Sequence, residues 1–380
     1  MRLWKMEFYK IAARPVMNLG LFLIVCFMVL ITFQEAYISH SEIDGEVYQG
    51  LEAIQADRKL AKEYEGVFTA QKAEDIVKRF GFSGYVREMD SPIYREGNYC
   101  NQFVTDNLTD FRLTGEKPGD FSQGKDEDGL YKEYGISGRI RFGYVAGWKC
   151  LQEMWKQAIA YLNIWLIIMA APIFSEEYNR KTAAILLTTK HGKAWGVWGK
   201  ITAALSLGLI CYVSVMALLF GLAAMLFGLD GLDASASMML EAYLWQTFPE
   251  SWTVAQFLLL LFFKSMASML LNLCIMLFLS SKCQRTVSAV TAGAVLFLLP
   301  YFINGPLFSL LLDAGAAKHY FMWFIVKNLR IFSVSMPIYL PLLEDMMISV
   351  NFWKPIPGIV AAVAALGVWR AYANYKNYHP

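Results

Sequence analysis

The sequence predicts an all-α polytopic membrane protein with six transmembrane helices. A mixed α/β or irregular extracellular domain is expected between the first and second. Three observations carry this. Of 380 residues, 56% are hydrophobic and only 17% charged, where a soluble domain carries about 25% charged residues. Six apolar runs approach the roughly 20 helical residues that cross a hydrocarbon core. One long polar block interrupts them, between the first run and the second.

The elements follow in order. Residues 1–15 (LWKMEFYKIAARP and its flanks) mix aromatic and basic side chains, as in an amphipathic helix lying along the inner interface. The run at 16–34 is longer than the 7–15 apolar residues of a signal peptide and lacks a small-residue cleavage site after it, so it reads as an uncleaved anchor and transmembrane helix 1. Residues 35–150 form the extracellular domain. Transmembrane helices 2 to 6 are expected at 157–174, 201–228, 254–280, 287–311 and 355–374. Pro300 and Pro306 should kink or break the fifth. Between the last two, residues 312–353 are apolar but broken by Lys327, Arg330, Pro337 and Pro341, the pattern of a re-entrant or interfacial segment.

Orientation follows from the short loops. With the N-terminus inside, 1–15, 175–200, 281–286 and 370–380 carry 4, 5, 2 and 2 Lys/Arg, while 229–253 and 312–353 carry 0 and 3. The excess sits on the inner side, so both termini are expected in the cytoplasm of a multi-pass cell-membrane protein. A net charge of +2 gives no reason to expect nucleic acid.

The extracellular block is mildly acidic. Residues 48–68 and 69–81 read as helices, the second with Thr69 as N-cap and Gly81 as its stop. Beyond residue 81 Gly, Pro, Asn and Asp recur at short intervals, as in EKPGDFSQGKDEDG (116–129), which predicts loops with short strands among them. Cys100 and Cys150 share this compartment, where a disulfide between them is possible; two free thiols are the equal alternative. Asn107 opens an Asn-Leu-Thr sequon, of consequence in a glycosylating host.

The most informative stretch is 173–200, IFSEEYNRKTAAILLTTKHGKAWGVWGK. Glu176, Glu177, Arg180 and Lys181 within six residues force the chain out of the hydrocarbon after Pro172. Ser175 can cap a helix whose first turn is acidic, and Lys190 and His191 precede Gly192 at its end, where positive charge is favoured. Tyr178, Ile185, Leu186 and Thr189 recur at helical spacing and can form one face. A plain interfacial helix satisfying the positive-inside rule accounts for the same pattern.

Phe174, Glu176, Glu177, Lys181, Thr182, Leu186, Leu187, Thr188, Thr189, Gly192, Lys193 and Lys200, following the basic N-terminal helix and the external insertion, resemble the permease subunit of an ABC-2 type ABC transporter. Tyr178 and Asn179 stand where many relatives have Gly after the acidic pair. The resemblance implies that 175–192 is a cytoplasmic coupling helix. Glu176, Glu177, Arg180, Lys181, Lys190 and Lys193 would then contact a separate ABC ATP-binding subunit. It also implies a second permease subunit, identical or related, so that two halves enclose a pathway. ATP and Mg²⁺ would belong to the ATPase subunit, with no cofactor in this chain. A P-loop needs G-x-x-x-x-G-K-[S/T] after a buried strand. The nearest match, Gly119–Asp126, has an acid in place of the hydroxyl and no apolar strand before it.

Lys264 is the one charge well inside an expected span. It can line a translocation path, or it can snorkel toward the headgroups, which its distance from the helix end favours. Ser265, Ser268 and Gly293 read as small-residue packing sites between helices. No nucleophile–base pair, metal cluster or carboxylate dyad emerges, so the chain is expected to be a transport subunit rather than an enzyme. The alternative is a membrane-anchored sensor that binds a ligand through its extracellular domain.

Overall fold

The computed structural model describes residues 2–86, 94–109, 111, 116, 140–189, 192–239, 251–303, 307, 309–310 and 356–378. The expected re-entrant segment 312–353 and the Gly119–Asp126 stretch lie outside these. Four helices are long and apolar enough to cross a membrane. They are α2 (Pro15–Tyr37), the continuous pair α6 (Ala146–Ala170) and α7 (Pro172–Asn179), α9 (Val197–Phe227) with the π-helical turn Gly192–Gly196 before it, and α10 (Val254–Lys282). They cover the first four expected runs. Two further helices occupy the regions of the last two, α11 (Thr286–Phe302) and α12 (Ile356–Lys376). Pro300 falls within the last turn of α11, which ends at Phe302; Pro306 lies outside the described residues.

The most apolar stretch of α2 is 17% buried, that of α6–α7 72%. An all-round apolar helix with its side chains outward suits lipid, and Leu19, Phe22, Leu30 and Phe33 of α2 point outward in this way. The enclosed α6–α7 pair is instead held by polar ties.

The chain forms two compact units, residues 1–27, 155–217 and 261–380, and residues 28–154 and 218–260. In the first, helix breaks and buried amides are satisfied across helices. Pro172 has no N–H to donate and interrupts the ladder between α6 and α7. The Ser280 hydroxyl of α10 fills the gap, donating to Ala171 O at 2.6 Å and accepting from Phe174 N at 3.0 Å. Asn272 donates to Asn163 Oδ1 at 2.9 Å, joining α10 to α6. Trp155 Nε1 donates to the Ser265 hydroxyl at 3.0 Å. In apolar surroundings an unmet polar group costs several kcal/mol, so such pairs fix helix register. A Cβ on Gly293 would run into Met276 and Ile167, so α11 packs closely there.

The second unit contains a small α/β assembly. Strands β1 (His40–Ile43) and β2 (Glu46–Gln49) form a hairpin, with Ile43 opposite Glu46. Its turn, Asp44-Gly45, has positive φ at both residues (52° and 86°), as a two-residue hairpin turn of the primed type requires. Helix α3 (Leu51–Glu63) follows, so the helix expected over 48–68 is shorter and its start is a strand. Strand β3 (Gly66–Val67) pairs with β6 (Arg141–Phe142), and β4 (Tyr85–Val86) pairs with β5 (Tyr94–Arg95). Between them α4 (Ala70–Phe80) starts at Thr69, whose hydroxyl accepts from Lys72 N, and ends at Gly81 with φ 69°. Helix α5 (Tyr99–Leu108) starts with a capping box between Asn98 and Asn101. The core is aromatic: Phe68, Phe103 and Phe142 meet at 5.1–5.3 Å between ring centroids.

Cys100 and Cys150 are both free thiols; Cys100 is fully buried, and burial pushes its thiol well above the usual range. Asn107 is also buried, donating to Phe103 O at 2.9 Å, which removes its amide from the surface a glycosylating enzyme would need.

Candidate functional site

The acidic pair organises the first unit. Glu176 and Glu177 sit on α7, but not at the start of a helix running to 192. Helix α7 begins at Pro172, and Ser175 is an interior residue whose hydroxyl donates to Ala171 O at 2.6 Å rather than capping anything. The helix stops at Asn179. Lys181 takes φ 57°, the left-handed region that ends helices. Helix α8 (Ala183–Thr188) follows as a separate short piece, and then the π-helical turn Gly192–Gly196. The predicted face Tyr178–Ile185–Leu186–Thr189 is accordingly not one face: Tyr178 is buried, while Ile185 is 68% exposed.

Glu177 is 3% exposed and holds three remote elements. Its Oε1 accepts from Lys200 Nζ on α9 at 2.6 Å and from Lys10 Nζ on α1 (Arg2–Ala12) at 3.0 Å. Its Oε2 accepts from the Tyr375 hydroxyl on α12. Lys200, 4% exposed, also reaches Glu7 Oε1 at 2.7 Å, returning to α1. Glu176 takes Arg14 Nη2 at 2.7 Å through Oε2 and Arg180 Nη2 at 2.7 Å through Oε1. Two carboxylates on consecutive residues thus bind α1, α9, α12 and the Arg180 turn. Charge-assisted bonds of this kind are the strong ones, and a buried ion pair holds only when its remaining valences are met in this way.

Sequence reasoning placed Glu176 and Glu177 on a partner-facing surface; in the structure Glu177 is committed to its own chain. Arg180, Lys181 and Lys193 are exposed, and Lys190 lies outside the described residues. Around these cations stand apolar side chains open to solvent: Ile185, Leu186 and Trp195, the last 71% exposed. A pocket of about 310 Å³ opens behind them, lined by Leu3, Glu7, Leu186, Thr189, Lys200 and Tyr375 among others. The segment 180–196 therefore carries exposed apolar anchors among positive charges, on a backbone that the acidic pair fixes to three other helices.

Lys264 is half-buried on α10, one residue before Ser265, and takes no part in this cluster. Lys10, Glu7 and Tyr375 were not singled out by sequence reasoning. The one signal pointing to Tyr375 is the recurrence of Tyr372, Tyr375 and Tyr378 at three-residue spacing, which aligns them along one side of a helix. Comparison of the chain with protein-family models, with curated proteins and with solved structures finds no match.

Proposed function

We propose that the chain is the permease subunit of an ATP-driven exporter of the ABC-2 type. In this reading it crosses the cell membrane six times, with α11 and α12 as the fifth and sixth spans, both termini inside and residues 35–150 outside. It works as a dimer around the translocation path, driven by a separate ATP-binding subunit that holds ATP and Mg²⁺. The observation that carries the reading is segment 180–196. Short interrupted helices, exposed Ile185, Leu186 and Trp195, and exposed Arg180, Lys181 and Lys193 form a docking surface. The Glu176–Glu177 cluster ties it to α1, α9 and α12. A load applied there reaches several helices together, as a coupling element requires.

The test is a nanodisc pull-down of the tagged chain from its native membrane, with partners identified by mass spectrometry. A stoichiometric P-loop ATPase is expected. Replacing both Ile185 and Trp195 by Asp should reduce its recovery at least tenfold without reducing the amount of permease, because buried apolar anchors dominate interface energy. Repeated recovery of the chain at full yield with no ATPase would overturn the reading.

A second reading, a membrane-anchored ligand sensor, is supported by a polar pocket of about 270 Å³ in the second unit, lined by Glu42, Asp44, Arg79, Glu96 and Asn101 among others. Its signature is retention of full function in a chain that never associates with an ATPase.

A further inference from the structure

We infer that Tyr375 is a positioning residue that links the last helix to the acidic pair, so that a stroke delivered at 180–196 moves α12 together with α7 and α9. This rests on the exporter reading above. Helix α12 shows two characters along its length. Ile359, Val363, Leu366 and Trp369 are 39–56% exposed, whereas Ala371 and Tyr375 are at most 1% exposed. The helix is clamped at its C-terminal end. There Tyr375 lies 4.9 Å from the ring of Phe174 and 5.6 Å from that of Tyr178, both on α7. Tyr378 continues the contact, 4.5 Å from Tyr178. Asn374 donates to the Ser281 hydroxyl at 3.1 Å.

The two oxygens of Glu177 divide the work. Oε1 takes both ammonium groups. Oε2 takes the Tyr375 hydroxyl, its one hydrogen-bond donor among the described residues. The cations tie Glu177 to α1 and α9; the phenol ties it to α12. Rings can slide over one another at little cost, but a buried carboxylate loses its donor only against a desolvation penalty. Movement of α7 therefore drags the hydroxyl, and α12 follows. Phenylalanine at 375 keeps the ring, the packing and both ion pairs, and deletes one bond.

The experiment uses the full chain with its co-purified ATPase in nanodiscs and a fluorescent non-canonical residue at Asn377, which is exposed. In the wild type, ATP with Mg²⁺ should shift the emission. Tyr375→Phe should lower the amplitude of that shift at least threefold while the ATPase remains bound and the unfolding midpoint is unchanged. Tyr178→Phe is the control: it loses a phenol bond in the same cluster, to Ser281 O at 3.1 Å, but not the link to Glu177, and should keep the amplitude. A full amplitude in Tyr375→Phe, an equal loss in both variants, or a wild-type label blind to nucleotide would each overturn the inference and leave the exporter reading standing. Absence of any ATPase from the wild-type preparation would remove both.

Discussion

Two withdrawn carboxylates, one in each unit, solve the same problem in opposite ways. Glu177 is buried among cations: Lys200 and Lys10 share one oxygen and Tyr375 takes the other. Asp57, on α3, is held by neutral donors. Its Oδ1 accepts from the Ser41 hydroxyl of β1 at 2.7 Å and from Tyr99 N at the start of α5 at 3.1 Å. Each acid joins three or more elements distant in sequence. In the first unit two ammonium groups compensate the charge, so the joint is strong. In the second, burial outweighs the bonds from Ser41 and Tyr99 and pushes the carboxyl up to about 6. Compensation makes a joint fit to carry load; its lack makes a joint that titrates.

Glu177→Gln should produce the largest effect. The amide keeps the shape and an acceptor oxygen, but Lys200, 4% exposed, is left with Glu7 as its one anionic partner among the described residues. Breaking a buried pair from one side costs about 3–5 kcal/mol. Thermal unfolding in nanodiscs should show a correspondingly large loss, with weakened protection of α1 from hydrogen exchange. A loss below about 1 kcal/mol would mean that the cluster relaxes toward water and that the contrast with Asp57 is one of degree.

Asp57→Asn comes next and has the opposite sign. A folded-state value near 6 against the ordinary 3.8 means that the folded chain binds this proton more tightly than the unfolded one. The stabilisation that binding supplies is complete below about pH 4 and is lost as pH rises toward 6. The difference amounts to about 3 kcal/mol at pH 7. Asparagine retains an Oδ1 for both donors and carries no charge. The variant should be more stable than the wild type at pH 7 by up to that amount, and should converge with it near pH 4. Unfolding measured at pH 4, 5, 6 and 7 checks this. A variant less stable than the wild type at pH 7 would show that ionised Asp57 is favoured where it stands.

How much of this was legible beforehand divides along the same line. Four apolar spans were readable because hydrophobicity is additive along the chain, and Thr69 and Gly81 because caps are local. The hairpin at 40–49 went unread although Asp44-Gly45 is a strong turn signal, and its last two residues were given to the helix expected over 48–68. The break at Arg180–Thr182 contains neither Gly nor Pro, so nothing local announces it. The cluster itself was half legible. Charges after Pro172 placed Glu177 correctly along the chain, but its partners Lys10, Lys200 and Tyr375 lie 167, 23 and 198 positions away. No periodicity encodes a pairing of that range, so an acid destined for burial looked like one facing a partner.

The smallest effect sharpens the comparison most. Ser41→Ala removes one neutral donor from Asp57 and leaves Tyr99 N in place. A bond to an ionised acceptor contributes about 1.5–3 kcal/mol, and one to a neutral acceptor about 1. The loss should therefore be about 1.5–2 kcal/mol at pH 7, where Asp57 is charged, and about 1 at pH 4, where it is protonated. Because the hydroxyl favours the charged form, its removal should raise the carboxyl above about 6 and extend the titration window upward. Asp57→Asn with Ser41→Ala together should lose the pH dependence and keep only the neutral-bond cost. A pH-independent loss in Ser41→Ala would mean that Asp57 is protonated or charged throughout, and the two acids would then differ in strength alone.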